Sequence, residues 1–224
     1  MKVLVTGASS GIGFELVKQL CAEQHDVFAT GRNQDKLSEL HNITGCKFGA
    51  YDLADSQQVI DMFHQATDEL GGLDVLVNNA GLNTRKCAIE EFSLEEFDQQ
   101  YAINLRAPAI LCREALSIMK AQKSGYIINV TSTVAKRASE TMAVYTSMKQ
   151  GLSGFTGVLM KEAQPHGVKV TNLLPGGTDT NFRSASRPEY MSPESVARTI
   201  MGLLKLPEDV VVHEMVFRPP VELE

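Results

Sequence analysis

The chain has 224 residues, 43% of them hydrophobic and 21% charged, a composition typical of a soluble fold large enough to bury a core without disulfides or metals. Its formal net charge of −6 argues against nucleic acid and anionic membrane surfaces as partners, and no apolar run approaches the roughly 18 residues of a membrane span. The four cysteines, Cys21, Cys46, Cys87 and Cys112, form no C-x-x-C pair and no histidine cluster stands beside them, so no metal site is expected. Scattered thiols suit a reducing compartment, and Met1-Lys2 runs straight into Val3-Leu4-Val5 without the flanks of a signal peptide. The expected location is the cytoplasm.

From the N-terminus, short β-branched runs alternate with longer amphipathic stretches. The pattern predicts a strand over Lys2–Thr6, a glycine-rich turn, and a helix over Gly11–Gln24. Next come a strand at Asp26–Thr30, a helix at Gln34–His41, a strand at Lys47–Tyr51, a helix at Ser56–Leu70 and a strand at Leu73–Asn78. Ser93-Leu94-Glu95-Glu96 reads as a capping box and opens a helix predicted to run unbroken over Leu94–Gln122. A strand at Gly125–Thr131, a helix at Val144–Gln164 and a strand at Val168–Leu174 follow. Gly176–Met191 is polar and irregular, as befits a mobile loop over a site. A helix at Pro193–Leu204 and a strand at Val210–Phe217 end the series.

Strands that alternate with helices and are apolar throughout belong to a mainly parallel sheet covered on both faces. The expected fold is therefore α/β: a Rossmann-like, doubly wound, mostly parallel seven-stranded sheet with helices on both faces. No repeat or linker divides it, so residues 1–224 are expected to form a single domain carrying both cofactor and substrate sites. Four Gly/polar clusters follow predicted strands: Thr6–Gly13, Asn78–Gly81, Ser132-Thr133 and Pro175–Thr178. Ligands of such sheets bind beyond the carboxyl ends of the strands, so all four should open onto one rim.

The first cluster joins a strand to a helix. Its glycines allow a tight turn and close backbone approach to a pyrophosphate, and the helix N-terminus adds unpaired N–H groups. After the second strand, an acid about 20 residues beyond the glycines would hold the ribose of NAD. Gly31 occupies that place instead, and Arg32 follows, whose planar fork can pair with a 2′-phosphate. NADP(H) is the favoured cofactor, with NAD(H) the other possibility. Tyr145 and Lys149 are four apart on a predicted helix and share a face. An ammonium there favours the phenolate, fitting Tyr145 for general acid–base work, while Ser132 can hydrogen-bond a substrate oxygen.

Together these residues resemble the short-chain dehydrogenase/reductase family, from Thr6 through about Thr180. The matches are T-G-x-x-x-G-x-G at Thr6–Gly13, N-N-A-G at Asn78–Gly81, Y-x-x-x-K at Tyr145–Lys149 with Ser132 thirteen positions earlier, and P-G at Pro175-Gly176. The resemblance implies a catalytic set of Asn104, Ser132, Tyr145 and Lys149, with Asn104 helping to hold a water that links Lys149 to solvent. It implies cofactor contacts from Gly7, Ser9, Ser10, Gly11, Ile12 and Gly13, from Arg32 and Asn33, and from Asp52 and Leu53. Asn78, Ala80 and Gly81 would line the adenine-ribose side, Tyr145 and Lys149 the nicotinamide ribose, and Pro175, Gly176, Thr178 and Thr180 the carboxamide. It further implies homodimers or homotetramers paired through helices 94–122 and 144–164.

The function expected is hydride transfer between NADP(H) and a small carbonyl or alcohol. A non-catalytic NADP(H) sensor is the alternative; such regulators typically lose the Tyr or the Lys, which are both present. A nucleotide-sugar epimerase needs a larger C-terminal domain than the 44 residues after Thr180. That short remainder also suggests an open site or a small substrate. His166 reads as a turn residue and Cys87 as a bystander thiol. Arg183 and Arg187 read as loop cations that could equally meet an acidic substrate. Substrate identity and the physiological direction are not encoded in any of these motifs.

Overall fold

A computed structural model of the chain describes residues 1–180, 182 and 186–222. The strands are β1 (Lys2–Thr6), β2 (Asp26–Gly31), β3 (Lys47–Ala50), β4 (Val75–Asn78), β5 (Gly125–Val130), β6 (Val168–Pro175) and β7 (Glu214–Phe217). They form one sheet in the order β3-β2-β1-β4-β5-β6-β7, and every neighbouring pair is parallel. The first six strands of that order are the doubly wound Rossmann arrangement, and the order reverses between β1 and β4.

The α-helices are α1 (Gly11–Ala22), α2 (Gln34–Thr44), α3 (Ser56–Leu70), α4 (Leu94–Tyr101), α5 (Ala107–Gln122), α6 (Ala143–Ala163) and α7 (Pro193–Leu204). Their apolar stripes cover the two faces of the sheet. In β1, Leu4 packs into one core with Met62, Phe63, Leu111 and Met119 of α3 and α5. Its neighbours Val3 and Val5 point the other way, into a core with Leu16, Leu20, Leu37 and Ile200 of α1, α2 and α7. Strand alternation thus feeds both cores, which is why β1 has no polar face.

Element ends differ from the expected ones by a few residues, with two larger departures. The strand expected over Val210–Phe217 pairs with β6 only from Glu214. The helix expected over Leu94–Gln122 is not one α-helix: α4 gives way to a π-turn at Ala102–Arg106 before α5. The cause is in the sequence. Pro108 has no N–H to return to the Asn104 carbonyl four residues earlier, and the chain widens instead, with the Ala107 N–H reaching Ala102 O. Widened turns of this kind are frequent at functional sites. At the start of α4 the capping box is present, with Glu96 N–H donating to Ser93 Oγ at 3.2 Å and Ser93 N–H to Glu96 Oε2 at 3.1 Å.

Candidate active site

The carboxyl ends of the strands open onto one cleft of about 1060 Å³. This is at the upper end of the roughly 300–1,000 Å³ usual for small-molecule sites, enough for a dinucleotide with a small substrate. The loop after β1 forms its floor. Gly7 and Gly11 adopt left-handed φ values of 69° and 57°, where a side chain would be strained. Ser10 caps α1 without any side-chain bond to the helix, so the first-turn N–H groups face the cleft uncapped. Gly7, Ser9, Ser10, Gly11 and Ile12 all line it. Gly13 does not. A Cβ there would lie 2.5 Å from the Gly7 carbonyl oxygen, so this glycine serves the packing of α1 against the turn.

A second loop is stitched to the first. Thr6 Oγ1 accepts the Asn79 N–H at 3.1 Å and the Ala80 N–H at 3.0 Å, and Asn79 Nδ2 donates to the Thr6 carbonyl at 2.9 Å. Ala80 and Gly81 line the cleft. Asn78 faces away from it. Its side chain is buried and its amide donates to Asn129 Oδ1 at 2.8 Å, which ties β4 to β5. The Asn129 amide then donates to Thr156 Oγ1 of α6 at 2.8 Å. One strand further, Asn172 Nδ2 donates to Ser153 Oγ, also on α6, at 2.8 Å. These buried bonds fix α6 against the sheet.

Beyond β2 the cleft is lined by Gly31 and Arg32. A Cβ on Gly31 would stand 2.9 Å from Ser9 Oγ, so an acidic side chain has no room at that position as the loop is packed. Arg32 is exposed on the cleft wall. Asn33 is not on it: its side chain accepts the Lys36 N–H at 3.0 Å and caps α2. Asp52 and Leu53 line the same end, with Asp52 Oδ1 accepting the Ala54 N–H at 3.0 Å.

At the other end α6 brings Tyr145 and Lys149 to the wall opposite Ser132. Both are buried, at 8% and 2% exposure. Lys149 Nζ lies 5.8 Å from the Tyr145 ring centroid and donates to the Val130 carbonyl at 3.1 Å. Removal from water pushes the Lys149 ammonium down to about 8, so at neutral pH most of it remains charged beside the phenol. Ser132, two residues past β5, lines the cleft, and its hydroxyl caps the Thr133–Lys136 turn by accepting the Val134 N–H at 3.3 Å. Asn104 is fully buried and its side chain is fully engaged: Oδ1 accepts the Leu82 N–H at 3.0 Å, and Nδ2 donates to Leu82 O at 2.7 Å and Gln100 O at 3.0 Å. It does not line the cleft.

Pro175, Gly176, Thr178 and Thr180 line the remaining wall. Thr178 pairs with Met191 in an isolated bridge, which ties off the intervening segment at its base. Within that segment Phe182 stacks at 5.7 Å between centroids on Tyr145. Arg187 lines the cleft, with its guanidinium 3.5 Å from Glu189 and its N–H on Asp179 Oδ1 at 2.8 Å; Arg183 lies outside the described residues. Cys87 sits beside a small chamber behind Tyr145, of about 10 Å³, room for a single water. His166 ends an exposed 3-10 turn, away from the cleft.

Several contributors carry no sequence motif that would have revealed them. Phe182 is one. Glu222 is another: from beyond β7 its Oε2 accepts the Gly177 N–H at 3.0 Å. Gly176 and Gly177 leave space for it, since a Cβ on either would come within 2.5 and 2.9 Å of that carboxylate.

A model of the short chain dehydrogenase family matches residues 1–191. The chain belongs to the short-chain dehydrogenase/reductase family, and it is an oxidoreductase of that family. It is 31% identical over 222 residues to an uncharacterized oxidoreductase of Staphylococcus aureus (strain N315), covering 96% of each chain. Among solved structures it is similar to an alcohol dehydrogenase of the archaeon Thermococcus sibiricus complexed with 5-hydroxy-NADP (27% identity, TM-score 0.89, 99% of this chain and 97% of that one). It is also similar to serine dehydrogenase from Escherichia coli (26% identity, TM-score 0.91, 100% of both chains).

Proposed function

We propose that the protein transfers hydride between NADP(H) and a small carbonyl or alcohol, with Tyr145 as general acid and base. The observation that carries this reading is the charged, buried Lys149 beside Tyr145, in one cleft with Ser132 and the open N-terminus of α1. Residues 1–224 act as one domain holding both sites, and the expected location is the cytoplasm. No helix among the described residues is long and apolar enough to cross a membrane.

The cradle fits a dinucleotide. The Gly7–Ile12 turn and the α1 N-terminus accept the pyrophosphate, Asp52 and Leu53 flank the adenine, and Arg32 meets the 2′-phosphate. Two solved neighbours, the Thermococcus sibiricus enzyme and a serine dehydrogenase, carry NADP-type ligands. NADH would occupy the same cradle without using Arg32. When bound, the nicotinamide supplies the hydride in reduction and takes it up in oxidation. The rest is this chain's work. Ser132 donates a hydrogen bond to the substrate oxygen. Tyr145 gives that oxygen its proton in reduction and removes it in oxidation, and the Lys149 ammonium stabilises the phenolate left behind. With the Asn104 amide spent on Leu82 and Gln100, the backbone carbonyl of Asn104 holds the water that returns a proton from solvent through Lys149. Phe182 shields the phenol from bulk water.

No observation favours the non-catalytic sensor. The test is Tyr145→Phe: NADPH binding is retained, and turnover of carbonyl substrates falls by about 10²–10⁴-fold. Near-wild-type turnover would remove Tyr145 from the mechanism. Assembly as a homodimer or homotetramer through α4–α5 and α6 is part of the same reading. Leu94, Tyr101, Phe155 and Val158 are exposed there, and Gly154 and Gly157 leave α6 open to close approach. Light scattering that gives a monomer mass would refute it.

A further inference from the structure

Arg137 stands five residues after Ser132, at the end of the Thr133–Lys136 turn, and lines the same cleft as Ser132 and Tyr145. Its guanidinium is oddly under-used. Nε is buried without a hydrogen-bond partner. Its only ion contact among the described residues is Glu222 Oε1, 3.9 Å from Nη2, too far for a hydrogen bond. The other Glu222 oxygen is held by the Gly177 N–H at 3.0 Å. The countercharge keeps Arg137 in the cleft but does not satisfy it.

Arg85, Lys86 and Arg187 also line this end of the cleft. Arg85 is held by Glu96 at 2.8 Å and by the Glu91 carbonyl, Arg187 faces Glu189, and Lys86 is exposed at the rim. A guanidinium presents five donors in a planar fork that matches a carboxylate bidentately, and with the Arg137 side chain 39% exposed the fork is open to a ligand from the cleft. We infer that Arg137 binds a carboxylate of the substrate, which makes the substrate class small hydroxy acids and their oxo acids. This rests on the hydride-transfer reading of the cleft. In oxidation the substrate hydroxyl gives its proton to Tyr145 and the carbinol carbon gives its hydride to NADP⁺, yielding the oxo acid, while the carboxylate on Arg137 is unchanged.

The test uses the wild-type protein with NADP⁺ and matched pairs of three- to five-carbon 2- and 3-hydroxy acids and their methyl esters. At least one acid should exceed its ester in kcat/KM by on the order of tenfold or more, the scale of one charge-assisted contact. Arg137→Met should abolish that preference by raising KM for the acid, with kcat and ester turnover within about twofold of wild type. Arg137→Lys, which keeps the charge without the fork, should fall between. Esters turned over as well as acids, or acid and ester slowed alike by Arg137→Met, would overturn the inference. Turnover confined to neutral alcohols and carbonyls would overturn it while leaving the hydride-transfer reading intact. Absence of both NADPH binding and turnover would sink the two together.

Discussion

Thr6 and Asn79 hold one another reciprocally: the Thr6 hydroxyl accepts the Asn79 N–H at 3.1 Å, and the Asn79 amide donates to the Thr6 carbonyl at 2.9 Å. The two residues end β1 and follow β4, the neighbours between which the strand order reverses. Crevices at such switch points take ligands, and here the two walls are fastened by side chains rather than left to the sheet. Thr6→Val removes the acceptor and leaves the Asn79 and Ala80 N–H groups without it. The folded state should lose about 1–3 kcal/mol, and NADPH should bind more weakly. Urea unfolding and fluorescence titration read the two effects; an unchanged midpoint would show that the stitch contributes nothing.

Arg32 is the side chain assigned to the 2′-phosphate. Arg32→Ala should raise the Kd for NADPH by roughly 10–100-fold, as expected for loss of a charge-assisted pair of about 1.5–3 kcal/mol. The Kd for NADH should hardly move. Equal losses for both cofactors would assign Arg32 to the packing of the loop instead.

Burial lowers the Lys149 ammonium from 10.5 to about 8, and the sign of its effect on stability follows. Below pH 8 folded and unfolded chains both hold the proton, and the cost of burying the charge is fully present. Between pH 8 and 10.5 the folded chain has released a proton that the unfolded chain keeps, so stability rises with pH. In Lys149→Met this rise is absent. Subtracting the two curves of unfolding free energy against pH cancels the groups common to both, and a flat difference would mean that the ammonium is not desolvated.

Pro108 shapes the helix that carries Asn104. Pro108→Ala restores an N–H at the position that normally serves the Asn104 carbonyl, so the π-turn at Ala102–Arg106 should relax toward a regular α-helix. Stability should hold or rise, because Pro within a helix costs about 3 kcal/mol relative to Ala. Turnover should fall while NADPH affinity stays, since the carbonyl would then be occupied. A variant with unaltered kcat would free Asn104 from any part in proton return.

The alternation of elements, the two-sided burial of the strands and the convergence of loops on one rim were all legible in the sequence, because each rests on local periodicity and turn chemistry. So was the placement of Tyr145 and Lys149 on one helix face. The kink before Ala107 was written in Pro108 but masked by the apolar repeat of Leu94–Gln122. Asn78 and Asn33 carry side chains suited to a ligand, yet one is committed to Asn129 and the other to capping α2. Such assignments depend on which side of the strand end, or which turn, a residue finally occupies. The partnerships of Thr6 with Asn79, Asn129 with Thr156, and Glu222 with Gly177 join residues far apart in the chain, and no local pattern announces them.

The hold of Glu222 on Gly177 bears on when the site comes into being during synthesis. A growing chain on the ribosome presents the glycine turn early and α6 later, and the wall after β6, already tied to Met191 at Thr178, gains its Glu222 fastening only once residue 222 has cleared the exit tunnel. Nascent chains halted after α7 should therefore bury most of the sheet while lacking a fixed substrate end. Competence would then appear in one late step rather than accumulate with length.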